Sequence, residues 1–264
     1  MDDSPPVADL HLHTTASDGR LTIDALPDAA RAGGVDVVAV TDHDRYHPDL
    51  DAPVVERDGV TVVRGIELRV DAGDRRVDLL GYGLRERPAL VEVVDRLQRN
   101  RIERAREIVA AVEAETGADL DIDIHDGVGR PHVARAVDAS EAPYDYQGAF
   151  DELIGSDGPC YVPRELPTFD DGVAALRDAC DVVGLAHPFR YRDPAGALAL
   201  CADLDAVERY YPYGFEVETD LVDEAIERYG LLATGGSDAH DETLGRAGPP
   251  ETDFARFAAA IDGL

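Results

Sequence analysis

The stretch DLHLHTTASDG, residues 9–19, carries His11 and His13 two positions apart, followed by Asp18. It begins in the apolar run VADLHLH, which predicts a short buried strand. Because residues i and i+2 of a strand point to the same face, both imidazoles can bind one ion, and Asp9 lies on that face too. An isolated His-x-His is more often an ordinary pair of histidines, so this prediction depends on the rest of the chain.

Histidines and carboxylates recur after the other apolar runs. They occur in TDHD, GIEL, RPH, AHP and SDAH, each of which is weak as a single motif. Together with His11 and His13, these motifs take up all the histidines except His47 and His125, which we expect to be exposed and without a role. The candidates added by these motifs are Asp42, His43, Glu67, His132, His187, Asp238 and His240.

Short apolar runs alternate with helical segments along most of the chain. This order predicts a parallel α/β sheet with crossover helices. The candidate side chains follow five different strands, which favours a closed or nearly closed barrel, whose chemistry collects at the carboxyl ends of its strands. An open sheet would gather them at one switch point. The predicted strands lie in VADLHLH, VDVVAVTDH, VTVVRGIEL, RVDLLGY, VVGLAHP, LDAVERYY and LLATGGSDAH.

The sequence predicts four helices. Thr22 precedes a helix that ends at Gly33-Gly34 and starts late because of Pro27. A second helix covers residues 220–229 and ends at Gly230, whereas the Pro- and Asp-rich segment 45–59 is expected to be loop with at most one helical turn. A long amphipathic helix over 89–115, closed by Gly117, precedes a short helix over 132–137.

These helices interrupt the strand alternation between residues 85 and 172. We expect residues 85–172 to be a mainly helical insertion that caps a barrel built from residues 1–84 and 173–264.

The composition is extremely acidic, with 55 acids against 25 bases, a net charge of -30 and no lysine. Such a charge raises solubility but destabilises the compact state by self-repulsion, unless salt screens it. At 1 M salt the Debye length falls to about 3 Å. We therefore expect a high-salt cytoplasm, and no large nucleic-acid-binding surface.

The sequence argues against disulfides, thiolate metal sites, secretion and membrane insertion. Cys160, Cys180 and Cys201 form no CxxC motif, which argues against a disulfide framework or a thiolate metal site and suggests buried apolar residues. The start MDDSPP is acidic and lacks the apolar region of a signal peptide. No apolar run reaches the ~20 residues that span a bilayer, so we expect a soluble cytoplasmic protein with no membrane partner.

A set of imidazoles and carboxylates without thiolates suits Zn, Mn or Fe. The candidates are too many for one ion but suffice for two or three if a carboxylate such as Glu67 bridges. Metal pairs ~3.5–4 Å apart are typical of phosphoester hydrolysis. G-x-S-x-G, P-loop and Rossmann glycine motifs are missing from the sequence, which favours direct attack on phosphorus by metal-bound hydroxide.

The ordered set DLHLHTTASDG, TDHD, GIEL, HP and GSDAH resembles the PHP (polymerase and histidinol phosphatase) superfamily over nearly the whole chain. Within it, SDGRLT, RIER, RPHVARAV, AFDELI and CYVP are similar to the branch of nucleoside 3′,5′-bisphosphate phosphatases that also act as 5′→3′ exoribonucleases. This resemblance implies a distorted seven-stranded (β/α) barrel with a helical insertion and a trinuclear metal centre.

The resemblance also implies which residues bind each ion. The hydroxide would be held by the first ion, and Glu67 would be shared between the first and the second. Independently of the resemblance, Asp9 lies on the strand face of His11 and could hold an imidazole N–H, and Asp42 is a second supporting candidate. His132 is assigned through the RPH match alone. The three predicted sets are His11, His13, Glu67 and Asp238; Glu67, His132 and His187; and Asp18, His43 and His240.

Arginine must bind the substrate phosphate, because the chain has no lysine. Arg101, Arg104 and Arg190 match patterns of the branch, and Arg130 and Arg246 are further candidates. The predicted substrate is a nucleotide or a short single-stranded oligonucleotide. Two alternatives stay open: a monoesterase for a small metabolite such as histidinol phosphate, and a non-catalytic metal-binding module.

Overall fold

The structure, a computed structural model, describes residues 6–264. The first five residues, on which most of the argument against a signal peptide depends, lie outside the described residues. The chain forms two compact units, one of Met1–Val93 with Pro167–Leu264 and one of Val94–Leu166. The predicted insertion at 85–172 is broader than the second unit, and its limits stay a prediction. Among residues 6–264, no helix is long and apolar enough to cross a membrane.

The first unit contains a curled sheet in which all seven predicted strands are present. Its neighbours follow the order β1-β2-β4-β5-β6-β7-β8, with β3 paired to β4 alone. The mixed α/β fold with a distorted seven-stranded barrel sheet is therefore confirmed. The strands are β1 Ala8–Leu12, β2 Val37–Val40, β3 Val54–Arg57, β4 Val60–Asp71, β5 Arg76–Tyr82, β6 Val182–Leu185, β7 Ala206–Tyr210 and β8 Leu232–Gly235.

The expectation of a wholly parallel sheet is wrong. β5 runs antiparallel to both β4 and β6, whereas β1-β2, β2-β4, β6-β7 and β7-β8 are parallel. The chain between Asp71 and Arg76 is too short for a crossover helix, so β4 and β5 must form a hairpin. Gly73 has a φ of 86° in this turn and donates its N–H to Asp71 Oδ1 at 2.8 Å.

β3 corrects the loop predicted for residues 45–59. It pairs antiparallel with β4 through a two-residue turn in which Asp58 has a φ of 48° and Gly59 a φ of 80°. Positive φ at both central residues is characteristic of the tight hairpin turn that Asp-Gly favours. The Asp-Gly pair between two valine-rich segments was the available signal.

Backbone hydrogen bonds join the first strand to the segment that follows the last. His13 donates its N–H to the carbonyl oxygen of Ala239 at 2.9 Å, and Asp238 donates to that of His11 at 2.8 Å. A Cβ atom on Gly236 would lie 2.2 Å from the His11 nitrogen, so only glycine permits this approach. The barrel therefore closes where its candidate site residues lie.

The predicted helices are confirmed with small changes in their ends. The first starts at Leu26 with Pro27 in its first turn, and Gly34, Gly117 and Gly230 end their helices with positive φ. The helices are α1 Leu26–Gly33, α2 Pro88–Thr116, α3 Arg130–Ala139, α4 Tyr146–Gly148, α5 Phe169–Ala179, α6 Pro194–Ala199, α7 Asp220–Tyr229 and α8 Glu251–Ala258, with a π-helix over Ala149–Ile154.

Each unit has its own apolar core. In the second unit, Ile108 and Val112 of α2 pack with Val133 and Val137 of α3. In the first unit, Phe257 of α8 is fully buried and meets the Tyr82 ring edge-on, with centroids 5.1 Å apart. Cys160 and Cys201 are buried and Cys180 is partly buried, and all three are free thiols.

We predict that Phe257→Ala lowers the free energy of unfolding by about 3–5 kcal/mol, because it removes a fully buried ring and leaves a cavity beneath the sheet. Urea unfolding at constant molar salt measures this loss. Phe254→Ala is the control, because the Phe254 ring lies in the same helix but is only partly buried. A loss below about 1 kcal/mol for Phe257→Ala would contradict the packing described here.

Candidate metal centre

The first unit gathers most of the predicted site residues at one end of its sheet. Three groups of side chains offer ligand atoms that lie within 4.8 Å of one another. They come from β1, β4 and β5 and from the segments that follow β1, β2, β6 and β8. The groups are His13, Asp18, His43 and His240; His11, His13 and Asp238; and Glu67, Asp78 and His187.

Glu67 lies between these groups. Its Oε1 is 2.9 Å from His187 Nε2 and 3.6 Å from His11 Nε2. Its Oε2 is 3.4 Å from His13 Nε2 and 2.6 Å from His43 Nδ1. The two oxygens therefore face different imidazoles, which is the geometry of a bridging carboxylate. The sequence predicts Glu67 at the end of a strand. It lies within β4 instead, because β4 continues to Asp71.

The two carboxylate oxygens of Asp238 also contact different groups. Its Oδ1 lies 3.0 Å from His13 Nε2 and 3.5 Å from His11 Nε2. Its Oδ2 accepts hydrogen bonds from Arg190 at 2.9 Å and from the Tyr211 hydroxyl at 2.7 Å. These two donors fix the carboxylate so that Oδ1 faces the imidazoles.

The backbone is strained at two of these positions. Asp238 has a φ of 48° and His187 a φ of 28°, a region that residues other than glycine rarely adopt. Such strain persists only where the surrounding structure imposes it, and it concentrates at functional sites.

The third group lies beside a loop that Asp42 organises. Asp42 Oδ1 accepts hydrogen bonds from the Thr14 N–H at 2.8 Å and the Ser17 hydroxyl at 2.6 Å. Asp18 follows directly, and its Oδ1 lies 3.4 Å from His240 Nε2 and 3.8 Å from His43 Nε2. Asp42 therefore positions the loop that carries Asp18.

Glu208, which the sequence analysis missed, takes the role expected for Asp9. Glu208 Oε1 lies 3.0 Å from His11 Nδ1, and its Oε2 accepts the His187 N–H at 2.7 Å. Asp9 instead accepts hydrogen bonds from the Ser237 N–H and hydroxyl and from the Gly245 N–H, so it holds the loop before Asp238. The available signal was an acid within an apolar strand, AVERY of β7.

Asp78 is the second residue that the sequence analysis missed. Its side chain is 4% exposed on β5, and its Oδ2 lies 3.8 Å from His187 Nε2. Its Oδ1 lies 3.4 Å from Arg69 Nε. The signal, an acid in the apolar run RVDLLGY, was hidden because Asp-rich sequence surrounds it.

His132, which the sequence assigned to the second ion, lies in the first turn of α3 in the second unit. Its Nδ1 accepts the Gly129 N–H at 3.2 Å, and its ring lies edge-on to His125, with centroids 5.6 Å apart. Its role as a ligand stays a prediction.

The two histidines that we expected to be inert differ in burial. His125 is exposed, as expected. His47 is 4% exposed, so the expectation that it lies at the surface is wrong. Its Nδ1 accepts the N–H of Asp49 at 3.2 Å, which makes it a loop-ordering residue.

The protonation states of His13, Glu67 and Asp238 suit metal ligands. Burial lowers the pKa values of His11 and His240, but neighbouring carboxylates outweigh it and raise both. Burial lowers the pKa of His13 to about 4, and the neighbouring imidazoles of His43 and His240 act in the same direction. His13 is therefore neutral at pH 7 and offers a lone pair. Burial raises the pKa of Glu67 and Asp238, but the surrounding histidines outweigh it and hold both pKa values well below the usual range.

Glu67 Oε2 and Asp78 Oδ1 are buried and make no well-aligned hydrogen bond, although His43 Nδ1 lies 2.6 Å from the first and Arg69 Nε 3.4 Å from the second. Buried polar atoms are almost always satisfied, so such atoms require an explanation. A cation coordinated by them supplies one. The set of imidazole nitrogens and carboxylate oxygens therefore fits divalent transition metals.

The predicted phosphate-binding arginines fall in different units. Arg190 lies beside Asp238 and lines a cavity of about 230 Å³ over the centre. Arg101 and Arg104 are buried in the second unit and donate to the carbonyl oxygens of Val128 and Val162. Burial, together with the positive charge of nearby arginines, lowers the pKa of Arg104 to about 10. Phosphate binding by Arg101 and Arg104 stays a prediction.

Three named relatives resemble this chain in sequence. A 3′,5′-nucleoside bisphosphate phosphatase of Chromobacterium violaceum is 31% identical, and the match covers 88% of this chain and 86% of that protein. A phosphoribosyl 1,2-cyclic phosphate 1,2-diphosphodiesterase of Eggerthella lenta is 31% identical, with 89% and 94% covered. A 5′-3′ exoribonuclease of Haemophilus influenzae is 30% identical, with 69% of each chain covered.

A solved structure and a family model give independent support. The crystal structure of a protein of Bifidobacterium adolescentis described as a metal-dependent phosphoesterase matches with a TM-score of 0.80 at 23% identity, covering 98% of this chain and 99% of that one. At this identity the match shows the fold. The PHP domain model matches residues 9–153. The chain therefore belongs to the PHP domain family, and its relatives support a metal-dependent phosphoester hydrolase.

Proposed function

We propose that the protein hydrolyses nucleotide phosphoesters with two or three divalent ions, Mn, Zn or Fe, bound around Glu67. The substrates are 3′,5′-bisphosphonucleotides, the 5′ end of short single-stranded RNA, or both. The observation that carries the proposal is the position of Glu67, whose two oxygens face different groups of imidazoles. The names of the Chromobacterium and Haemophilus relatives support the nucleotide class.

The proposed ligands differ from the sequence prediction at one position. Asp78 replaces His132, because Asp78 offers an oxygen to the group that contains Glu67 and His187. The first and third sets are unchanged. The proposed sets are His11, His13, Glu67 and Asp238 for the first ion; Glu67, Asp78 and His187 for the second; and Asp18, His43 and His240 for the third.

Bound divalent ions supply positive charge to the phosphoryl oxygens and a nucleophilic water at neutral pH. The residues of the chain orient the substrate and keep it from binding in other orientations. Arg190 is half exposed beside Asp238, so its guanidinium can donate to a phosphate oxygen in the cavity. Tyr211 stays protonated, because burial and the Asp238 carboxylate raise its pKa.

The acidic composition supports work in a high-salt cytoplasm. At molar salt the mutual repulsion of 55 acidic residues is screened. The same screening weakens attraction between the chain and a phosphate backbone. We therefore propose small nucleotides or short strands as partners rather than long duplexes.

The Eggerthella relative favours a second candidate substrate, a small cyclic sugar phosphate diester, because its name specifies that chemistry and it matches nearly the whole chain. The proposed centre would serve this substrate or histidinol phosphate equally well. A non-catalytic module is disfavoured, because the proposed sets lack no ligand.

A substrate panel tests the proposed function. With Mn²⁺ in molar salt, we predict faster phosphate release from a 3′,5′-bisphosphonucleotide than from histidinol phosphate or a cyclic sugar phosphate diester. His11→Ala and Asp238→Ala should lower kcat at least about 10³-fold, because each removes a ligand of the first ion. Asp24→Ala, at an exposed position, is the control. Wild-type activity in His11→Ala with full metal content would contradict the centre.

Paired variants distinguish Asp78 from His132. We predict that Asp78→Asn lowers the affinity for one ion at least about tenfold and lowers kcat, because it removes a negative charge from the second site. His132→Ala should leave both unchanged. Metal titration of the purified variants measures this. If His132→Ala lowers the metal affinity and kcat while Asp78→Asn changes neither, His132 rather than Asp78 binds the second ion.

Glu208→Gln tests whether Glu208 holds the ligand residues His11 and His187 in position. Because Glu208 orients the His11 ring and the His187 backbone, we predict a loss of metal affinity of about 10–100-fold with the fold retained. Competition with a chromophoric chelator measures the affinity. Glu227→Gln, on the exposed face of α7, is the matched control. Equal affinity in the two variants would show that Glu208 has no such role.

A further inference from the structure

A row of aromatic rings leads away from the candidate metal centre in the first unit. Tyr211, Tyr213 and Phe215 alternate along the segment that follows β7. The ring centroids of Tyr211 and Tyr213 are 4.6 Å apart, and those of Tyr213 and Phe215 are 5.7 Å apart. Phe189, from the turn after His187, meets Tyr213 edge-on at 5.4 Å. The four rings therefore form a contiguous row in which each ring is tilted or edge-on to its neighbour.

The inner end of this row is attached to the centre. The Tyr211 hydroxyl donates to Asp238 Oδ2 at 2.7 Å, and Arg190 Nη1 donates to the same tyrosine oxygen at 2.9 Å. The Tyr211 ring is also 5.5 Å from the His187 ring. A phosphate held by Arg190 would therefore lie at the beginning of the aromatic row.

The outer end of the row is open to solvent. Phe215 is 60% exposed, whereas Tyr211, Tyr213 and Phe189 are partly buried. The Phe189 N–H donates to the Tyr213 hydroxyl at 3.4 Å, which ties the middle of the row to the turn that carries Arg190. Most of the Phe215 side chain is therefore open to solvent.

The surrounding charge indicates which part of a substrate this surface can accept. Glu216 and Glu218 follow Phe215 directly and disfavour a phosphate there. A nucleobase is uncharged, and each of the bases can stack on the face of an aromatic ring. Stacking also persists in molar salt, in which binding through phosphate charge is weak.

We propose that Tyr213 and Phe215 form a stacking platform for the nucleobase of the substrate whose phosphate lies at Arg190 and Asp238. This inference rests on the proposed function and specifies its substrate: a phosphoester that carries a base next to the reacting phosphate. Phe215 is then a specificity-determining residue, and it does not take part in the chemical step.

Steady-state kinetics separate a platform from a general structural role. Phe215→Ala should lower kcat/KM about tenfold for a nucleoside 3′,5′-bisphosphate, mainly through KM. It should change kcat/KM less than about twofold for the matching abasic ribose bisphosphate, which lacks the stacking partner. Phe215→Tyr should have the wild-type kcat/KM for the nucleoside bisphosphate, because it keeps the aromatic ring. Equal losses on both substrates, or no loss on either, would overturn the platform.

A binding measurement gives a readout that does not depend on turnover. The chain contains no tryptophan, so Phe215→Trp introduces a single tryptophan, whose emission can be excited selectively over that of the tyrosines. Adenosine 3′,5′-bisphosphate should quench its emission saturably, while the abasic analogue should not. Leu221→Trp, at an exposed position on α7, is the control and should show no saturable quenching.

The two failures are distinguishable. If the wild-type protein hydrolyses no nucleotide but Phe215→Trp is quenched by the bisphosphate, the proposed function is wrong, and Phe215 still lies in a site that stacks a nucleobase. If nucleotides are hydrolysed but the quenching is absent and Phe215→Ala matches wild type, the platform is wrong and the proposed function stands.

Discussion

The buried carboxylate of Glu67 is the contact on which the centre depends. It is 1% exposed, its pKa is held well below the usual range, and four imidazoles face its two oxygens. An ionised carboxylate in such a place costs several kcal/mol unless cations or strong donors compensate. Asp18, Asp78 and Asp238 add further negative charge nearby. Shared divalent ions account for this concentration of acids and for the neutral imidazole of His13 together.

The fold brings these side chains together by two departures from a regular parallel barrel. The β4-β5 hairpin places Asp78 of one strand beside Glu67 of the other, which a crossover helix would not do. The hydrogen bonds between β1 and the segment after β8 join the His11–His13 pair to Asp238. Two buried acids then hold the result in place: Glu208 orients His11, and Asp9 holds the loop before Asp238.

Local patterns in the sequence were sufficient for the strands, the main helices and most of the candidate ligands. His11 and His13 share a face because of strand periodicity, and glycines such as Gly117 and Gly230 end helices through positive φ. Strand direction could not be predicted in the same way, because it depends on which distant strand each segment pairs with. Glu208 and Asp78 were missed for that reason: each is a single acid in an apolar strand, and only the tertiary pairing makes it significant. His47 was placed at the surface because its loop is rich in proline and aspartate, although the fold buries it.

A crystal structure of the protein grown with Mn²⁺, with an anomalous difference map at the manganese edge, tests the bridging role of Glu67 most directly. The account predicts at least two strong peaks about 3.5–4 Å apart, with Glu67 contributing one oxygen to each. A map without peaks among His11, Glu67, His187 and Asp238, or with a single ion that leaves one Glu67 oxygen uncoordinated, would contradict it.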